Sequence, residues 1–326
     1  MSFNSLKNMI RIDFNKNTKL FFYIRGLYIL GLPKFLYGRD LHKEFQLMSE
    51  TEKTEILKRV EYYNKVSSSF KLPKDAKTIF EYIKKEKMKT YFFDLLEYLK
   101  YFNYKNKITY IFGDVIEVPE IPSFVKSRPI SEDNKNSIIL KLNKVRHFIF
   151  VNDSIKFEDK IDKAVWRGKS FKQHRIDFIK NFYNSPFCDI GQVNNKGDLN
   201  VPWQKEKLSL KKQMQYKFIV AIEGNDVASN LKWAMSSNSL VMMAKPKYET
   251  WFMEGTLVEN YHYVLLKDDY SDLEEKIKYY LSHIEEAKVI IENANNYVKQ
   301  FKNKTHEDII SYFVLEKYFK QTNVIE

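Results

Sequence analysis

The sequence predicts an α/β protein whose second half folds as a doubly wound, mostly parallel sheet. Two observations carry this. Beyond residue 160, short apolar runs alternate with helical periodicities across short turns, the pattern of strand–helix–strand units. Four of the chain's predicted strands end at a glycine with polar neighbours, Gly113-Asp114, Arg167-Gly168, Gly191-Gln192 and Gly224-Asn225, and such sheets bind ligands beyond the carboxyl ends of their strands. The 326 residues suit two domains, since single domains cluster at about 100–200 residues. A boundary near residue 150 is expected, although no flexible linker marks it.

In chain order, 44–66 reads as a helix with Ile56, Leu57, Val60 and Tyr63 on one stripe, and 78–87 and 91–104 are helical in pattern. Residues 108–112 form a β-branched and aromatic strand that runs into Gly113. Three prolines make 118–129 extended or looped. Residues 145–151 read as a strand or buried segment and 163–166 as a strand, followed by a helix at 174–183. A strand at 186–190, a polar loop at 194–202 and a helix at 208–217 come next. The strand 218–222 and helix 228–236 precede a strand at 240–244. A short helix at 248–253, a strand at 261–266, a long amphipathic helix at 272–301 and a last helix at 305–320 complete the chain.

Composition narrows the function. Apolar residues make up 44% and charged residues 29%, which suits a packed core and excludes a disordered or fibrous chain. The single cysteine, Cys188, excludes a disulfide scaffold and a cysteine zinc site. A net charge of +12 beside 25 Phe, 22 Tyr and 4 Trp invites a nucleic-acid reading, but no RRM, KH or helix-turn-helix pattern appears and the lysines are spread. The N-terminus shows no signal-peptide core, so the protein is expected to stay where it is made. The most apolar window, 20–37, holds Arg25, Gly26, Gly31 and Pro33. A central Arg costs about 2.5–3.5 kcal/mol in a spanning helix, so two readings stand: a buried element of the first domain, or a segment that dips into a membrane interface. Residues 1–40 carry Lys7, Arg11, Lys16, Lys19, Arg25, Lys34 and Arg39 against Asp13 and Asp40, a balance suited to an anionic lipid surface.

No G-x-G-x-x-G, Walker A or D-x-D occurs, and the six histidines are scattered, so no metal site is expected. The run 218–233 reads as a strand, a polar turn and a helix start. The helix N-terminus with Lys232 could receive a phosphate, or Asp226 or Ser229 could simply cap it. Arg167 could clamp a phosphate, Asp114 could serve as a general base, and Asp189 could accept from a base or sugar hydroxyl. Each also reads as an ordinary surface or turn residue.

Taken together, YIFGDVIEVPEIPSFVKSRPI at 110–130, LNKVRHFIFVND at 142–153, KAVWRG at 163–168, CDIGQVN at 188–194, EGNDVASNLKWAMSSNSLVMMAKPKYETWF and HYVLLKDDYSDLEEKI resemble glycosyltransferase family 90. The likeness runs over about 100–300 and is nearest to the bacterial lipopolysaccharide-core type; capsule xylosyltransferases and protein O-glucosyltransferases belong to the same family. The resemblance implies a GT-B architecture, two Rossmann-like domains facing a cleft. Residues 1–150 would be the acceptor-side domain with the base, and 151–326 the UDP-sugar domain, its last helix packing back on the first. It implies Asp114 as catalytic base. For donor binding it implies Arg167 and Gly168, the loop Gly224, Asn225, Asp226, Val227, Ala228 and Ser229, and Asp189 near the uracil. Asn230 stands where eukaryotic members carry a second phosphate-binding arginine, which shifts leaving-group stabilisation to Arg167, Lys232 and the helix terminus.

The implied reaction is inverting transfer of a hexose or pentose from a UDP-sugar to a lipid A-core acceptor, with no metal or other cofactor. The enzyme would be cytoplasmic, peripheral on the inner membrane through its basic N-terminal region, and without a nucleic-acid partner. A family member acting on another glycan or on a protein, and a basic nucleic-acid-binding protein, are the alternatives.

Overall fold

The computed structural model describes residues 19–33 and 39–322; Lys7, Arg11, Asp13, Lys16 and Lys34 lie outside the described residues. The first half supplies strands β1 (Lys77–Thr78), β2 (Lys107–Ile108), β3 (Tyr110–Ile111), β4 (Ser123–Val125), β5 (Ser127–Pro129) and β6 (Ser137–Ile139). The second supplies β7 (Ile161–Gly168), β8 (Cys188–Gln192), β9 (Tyr216–Val220), β10 (Leu240–Met243), β11 (Tyr248–Thr250) and β12 (Val264–Leu265). Strands β3, β4 and β6 form one parallel sheet. The larger sheet is parallel throughout, in the order β12-β10-β9-β7-β8.

The alternation of side chains along a strand explains how the large sheet is buried on both faces. Ala164, Trp166, Phe218, Val220, Leu240 and Met242 pack on one face with Phe178, Ile277 and Ile291 from the flanking helices. Val165, Ile219, Val241 and Met243 face the other way and join the core shared with the first half. The strands read at 163–166, 186–190, 218–222, 240–244 and 261–266 are β7, β8, β9, β10 and β12.

Several local expectations change. Only Leu210–Gln213 of 208–217 is helical, because Tyr216 already pairs with Ile161 of β7. The expected helix at 248–253 begins instead as β11, antiparallel to β5 with Tyr248 opposite Pro129. The helix at 272–301 is two, Leu273–Ser282 and Ile284–Lys299. At the break Ser282 Oγ donates to Tyr279 O at 2.8 Å and His283 Nδ1 lies 2.8 Å from the same carbonyl, holding it at the helix end. Residues 145–151 are the buried segment rather than a strand: Lys144–His147 is a helical turn, and Val145, His147, Phe148 and Val151 are buried.

Two features tie the first half to the second. The Lys304–Thr322 helix packs on the Leu41–Gln46, Glu50–Tyr63 and Thr90–Leu99 helices. Across the β5–β11 ladder, Arg128 Nε donates to Glu249 Oε1 at 2.7 Å with both side chains fully buried, and the guanidinium also donates to the carbonyls of Tyr62 and Ser137.

The part of the window 20–37 that lies among the described residues, up to Pro33, folds mainly as the Lys19–Gly31 helix. Its inner face meets Phe93 through Phe22, Tyr23 and a buried Gly26, whose Cα leaves no room for a β-carbon beside the Phe93 ring. Its outer face turns Leu20, Phe21, Ile24, Leu27 and Tyr28 to solvent, each more than half exposed. At 100° per residue these five fall within an arc of about 120°. Among the described residues no helix is long and apolar enough to cross a membrane.

Candidate active site

Strand order in the large sheet reverses between β7 and β9. Parallel sheets bind ligands at such a reversal, beyond the carboxyl ends of the strands. A cleft of about 340 Å³ lies there. Lys169, Phe171 and Lys172 from the segment after β7, and Gly224, Asn225, Asp226, Val227 and Ser229 from the loop after β9, form one wall. Asp114, Arg146 and His147 form the other. They follow β3 and β6, so the carboxyl ends of the two parallel sheets face each other across the cleft.

Local backbone chemistry sets Asp114. Gly113 takes φ +118°, a region that disfavours side chains, and turns the chain out of β3. Lys126, directly after β4, then reaches Asp114 Oδ1 at 2.6 Å and Asp226 Oδ2 at 2.6 Å. Its side chain is 2% exposed. Asn225 Nδ2 donates to Asp114 Oδ2 at 3.0 Å. One ammonium and one amide thus join the Asp114 loop to the loop after β9. Burial pushes the Asp114 pKa up, but the hydrogen bond and charge of Lys126, with Asn225 and Arg146, hold it below the usual carboxylate value. The group is therefore ionised at neutral pH and, with its side chain 30% exposed, open to a ligand.

The cleft is cationic. Arg146, Lys169 and Lys172 are exposed along it, and Lys245 rims an adjoining cavity of about 400 Å³. The two cavities share Lys172, Gly224, Asn225 and Val227. The second is lined by Ala221, Ala228, Met243, Pro246 and Tyr248, with Glu223 in its wall. Arg175 braces the loop between them: Nη2 donates to Ile222 O at 2.7 Å and Nε to Glu223 O at 2.8 Å. A β-carbon at Gly224 would stand 3.2 Å from Arg175 Nη2, so glycine suits this close approach.

Other expected donor residues are placed differently. Arg167 shares the β7 face of Val165, opposite Trp166, and pairs with Asp189 at 2.6 Å. Asp189 also receives Lys205 Nζ at 2.8 Å and the Tyr216 hydroxyl at 2.6 Å. Neither Arg167 nor Asp189 lines the cleft. Gly168 sits against the Trp166 ring where a side chain would collide. Lys232 is fully buried and ion-paired with Glu254 at 2.6 Å, its ammonium near the rings of Phe148 and Phe252, so it has no free charge for a phosphate. Asn230 donates to Val220 O at 2.9 Å. The helix after the loop is only Leu231–Met235, too short for a developed dipole.

Strand-end glycines did not flag Lys126, Arg146, His147, Lys169 or Lys172. The signal available for Lys126 was a lysine directly after a short apolar run that also follows two prolines. Among the described residues no group of three His, Cys, Asp or Glu side chains is placed to hold a metal ion.

The Glycosyl transferase family 90 model matches residues 136–324. The chain is 40% identical over 304 residues to O-glucosyltransferase LpsA of Dichelobacter nodosus, covering 92% of this chain and 95% of that protein. It is 29% identical over 140 residues to Protein O-glucosyltransferase 2 of Danio rerio, covering 41% of this chain and 28% of that protein. It is 27% identical over 168 residues to Protein O-glucosyltransferase 3 of Homo sapiens, covering 49% and 32%.

Proposed function

Because the chain belongs to glycosyl transferase family 90 and is a glycosyltransferase, we propose that it transfers a hexose from a UDP-sugar to a lipopolysaccharide or lipooligosaccharide core, with inversion and without a metal. The observation that carries this is an ionised Asp114 on one wall of a cleft whose other wall is a glycine-containing loop flanked by cations. Asp114 takes the proton of the acceptor hydroxyl as its oxygen bonds to the anomeric carbon. The bond from that carbon to the diphosphate oxygen breaks, and UDP leaves with the electron pair. Arg146, Lys169 and Lys172 meet its charge. A single carboxylate suits this one displacement, which needs no covalent intermediate. The D. nodosus relative is an O-glucosyltransferase by name, which favours glucose as the transferred sugar. The two facing parallel sheets are read as the halves of a GT-B enzyme, with the division near residue 150.

A core acceptor is lipid-anchored. The exposed apolar stripe of the Lys19–Gly31 helix and the basic balance of residues 1–40 suit the anionic inner leaflet of the inner membrane. Both features support a peripheral position of the enzyme at the cytoplasmic face.

Asp114→Asn tests the chemistry. Lys126 keeps Asp226 as partner, so the fold should hold. Transfer should fall by about 10²–10⁴-fold while UDP affinity by calorimetry persists. Retention of more than about a tenth of wild-type activity removes Asp114 as the base, since general-base loss costs at least about a hundredfold.

A further inference from the structure

His147 is the one cleft-lining side chain whose buried ring has both nitrogens without a hydrogen-bond partner among the described residues. The residue is 2% exposed. Its place is well fixed. Asn143 turns the chain at φ 55°, and the Lys144 backbone N–H donates to Asp94 Oδ2 at 3.1 Å. Lys144 Nζ also reaches Glu97 at 2.6 Å. The helical turn that ends at His147 is thereby pinned to the Thr90–Leu99 helix. A ring held so firmly and left unpaired is a polar group kept for something that enters the cleft, since buried polar atoms are nearly always satisfied.

The surroundings say what enters. Burial, then the charges of Lys232, Lys126 and Arg146, push the imidazole pKa well below its ordinary value. A neutral ring offers one N–H donor and one lone-pair acceptor. A phosphate offers only acceptors at neutral pH and already has Arg146, Lys169 and Lys172 in the same cleft. A sugar hydroxyl both donates and accepts, so it is the complement of a neutral imidazole.

We propose that His147 is a specificity residue that hydrogen-bonds a hydroxyl of the sugar lodged beside Asp114. This rests on the donor reading above. The hydroxyl belongs either to the transferred sugar or to the acceptor sugar, and the test separates them.

The experiment compares wild type with His147→Ala and His147→Gln. UDP and UDP-glucose binding are measured by calorimetry, and kcat/KM is measured with UDP-glucose and its 2-, 3-, 4- and 6-deoxy analogues. If the contact is to the donor sugar, UDP affinity stays unchanged in His147→Ala. The added affinity of UDP-glucose over UDP drops, and one deoxy analogue that costs wild type at least about tenfold costs the variant almost nothing, because loss of a hydrogen bond to a buried polar group is what that penalty reads. If it is to the acceptor, donor binding is unaffected and KM for a truncated core acceptor rises at least about tenfold. His147→Gln, which carries both a donor and an acceptor, restores part of either loss. Unchanged UDP affinity in the variants also reports an intact cleft.

Equal donor and acceptor parameters in His147→Ala and wild type overturn the proposal. So does a variant that loses UDP and sugar affinity alike and is not rescued by His147→Gln, which marks a structural role. Wild type that binds UDP-sugar yet discriminates no hydroxyl overturns this inference alone, whereas wild type that binds no UDP overturns the donor reading and this inference with it.

Discussion

Replacing Lys126 by Met keeps the unbranched stem of the side chain and removes the ammonium that stands 2.6 Å from both Asp114 and Asp226. Deleting one partner of a buried ion pair costs about 3–5 kcal/mol. The lower end applies here. The Asp114 side chain is 30% exposed and can rehydrate, whereas Asp226 at 5% cannot. A loss of about 3 kcal/mol is therefore expected at pH 7, which at a urea m-value of about 3 kcal/mol/M lowers the midpoint by about 1 M. The double variant Lys126→Met/Asp226→Asn removes the stranded charge and should regain more than half of that.

The sign with pH is fixed by the depressed pKa of Asp114. Its stabilisation is present above the unfolded value of about 3.9 and fades as pH falls through the lower folded value. Wild type and variant should therefore begin to converge below about pH 3.9 and meet only once pH has passed the lower folded value. Without Lys126 the Asp114 pKa rises, so the acid limb of kcat/KM moves to higher pH. A urea midpoint within about 0.3 M of wild type, together with an unmoved acid limb, would refute the bridging role.

Three further outcomes are expected. Burial pushes Glu223 up to about 7, against the Lys247 and Tyr248 N–H groups and the Lys247 charge, with Glu254 adding to the rise. Its carboxyl is neutral below that pH, and with the diphosphate proposed to lie in the cleft that opens into this cavity, its ionisation should weaken UDP-glucose affinity as pH climbs from about 6 to 8. Glu223→Gln should flatten the trend, and a flat wild-type profile by calorimetry would remove Glu223 from the donor site. Asp189 is held at about 2 despite burial by Lys205, Tyr216 and Arg167. Asp189→Asn should therefore destabilise at pH 7 and match wild type by about pH 2 in acid unfolding; an equal gap at both pH values would contradict this ion cluster. Ile24→Glu and Leu27→Glu should abolish co-sedimentation with anionic lipid vesicles while leaving UDP binding intact, and wild type that stays in the supernatant would detach this helix from the membrane.

The large sheet was legible because each of its strands carries its own apolar alternation and a turn residue at its end. Asp114 was legible for the same reason, since Gly113 marks the turn that presents it. Arg167 stands on the face of β7 turned to the first half, but its ion pair with Asp189, which also receives Lys205, holds the guanidinium away from the cleft lining, and no local window shows that partner. Lys232 carried a charge that suggested a phosphate, while its actual partner, Glu254, arrives from a distant turn. Lys126 and His147 owe their roles to the meeting of two sheets, and no local window encodes that encounter. β11 needed β5 as its template, so its sequence alone read as a helix.

The β5–β11 ladder bears on how the enzyme opens. Each member comes from a different half of the chain, and Arg128 and Glu249 lock it from within the core. The Lys304–Thr322 helix straps the same halves together from another side. A hinge swing wide enough to part the cleft walls would strand two buried charges. The ladder and the strap therefore couple the stability of the two halves, although the second half also holds an apolar cluster of its own around Trp166, Phe178, Phe218 and Ile277.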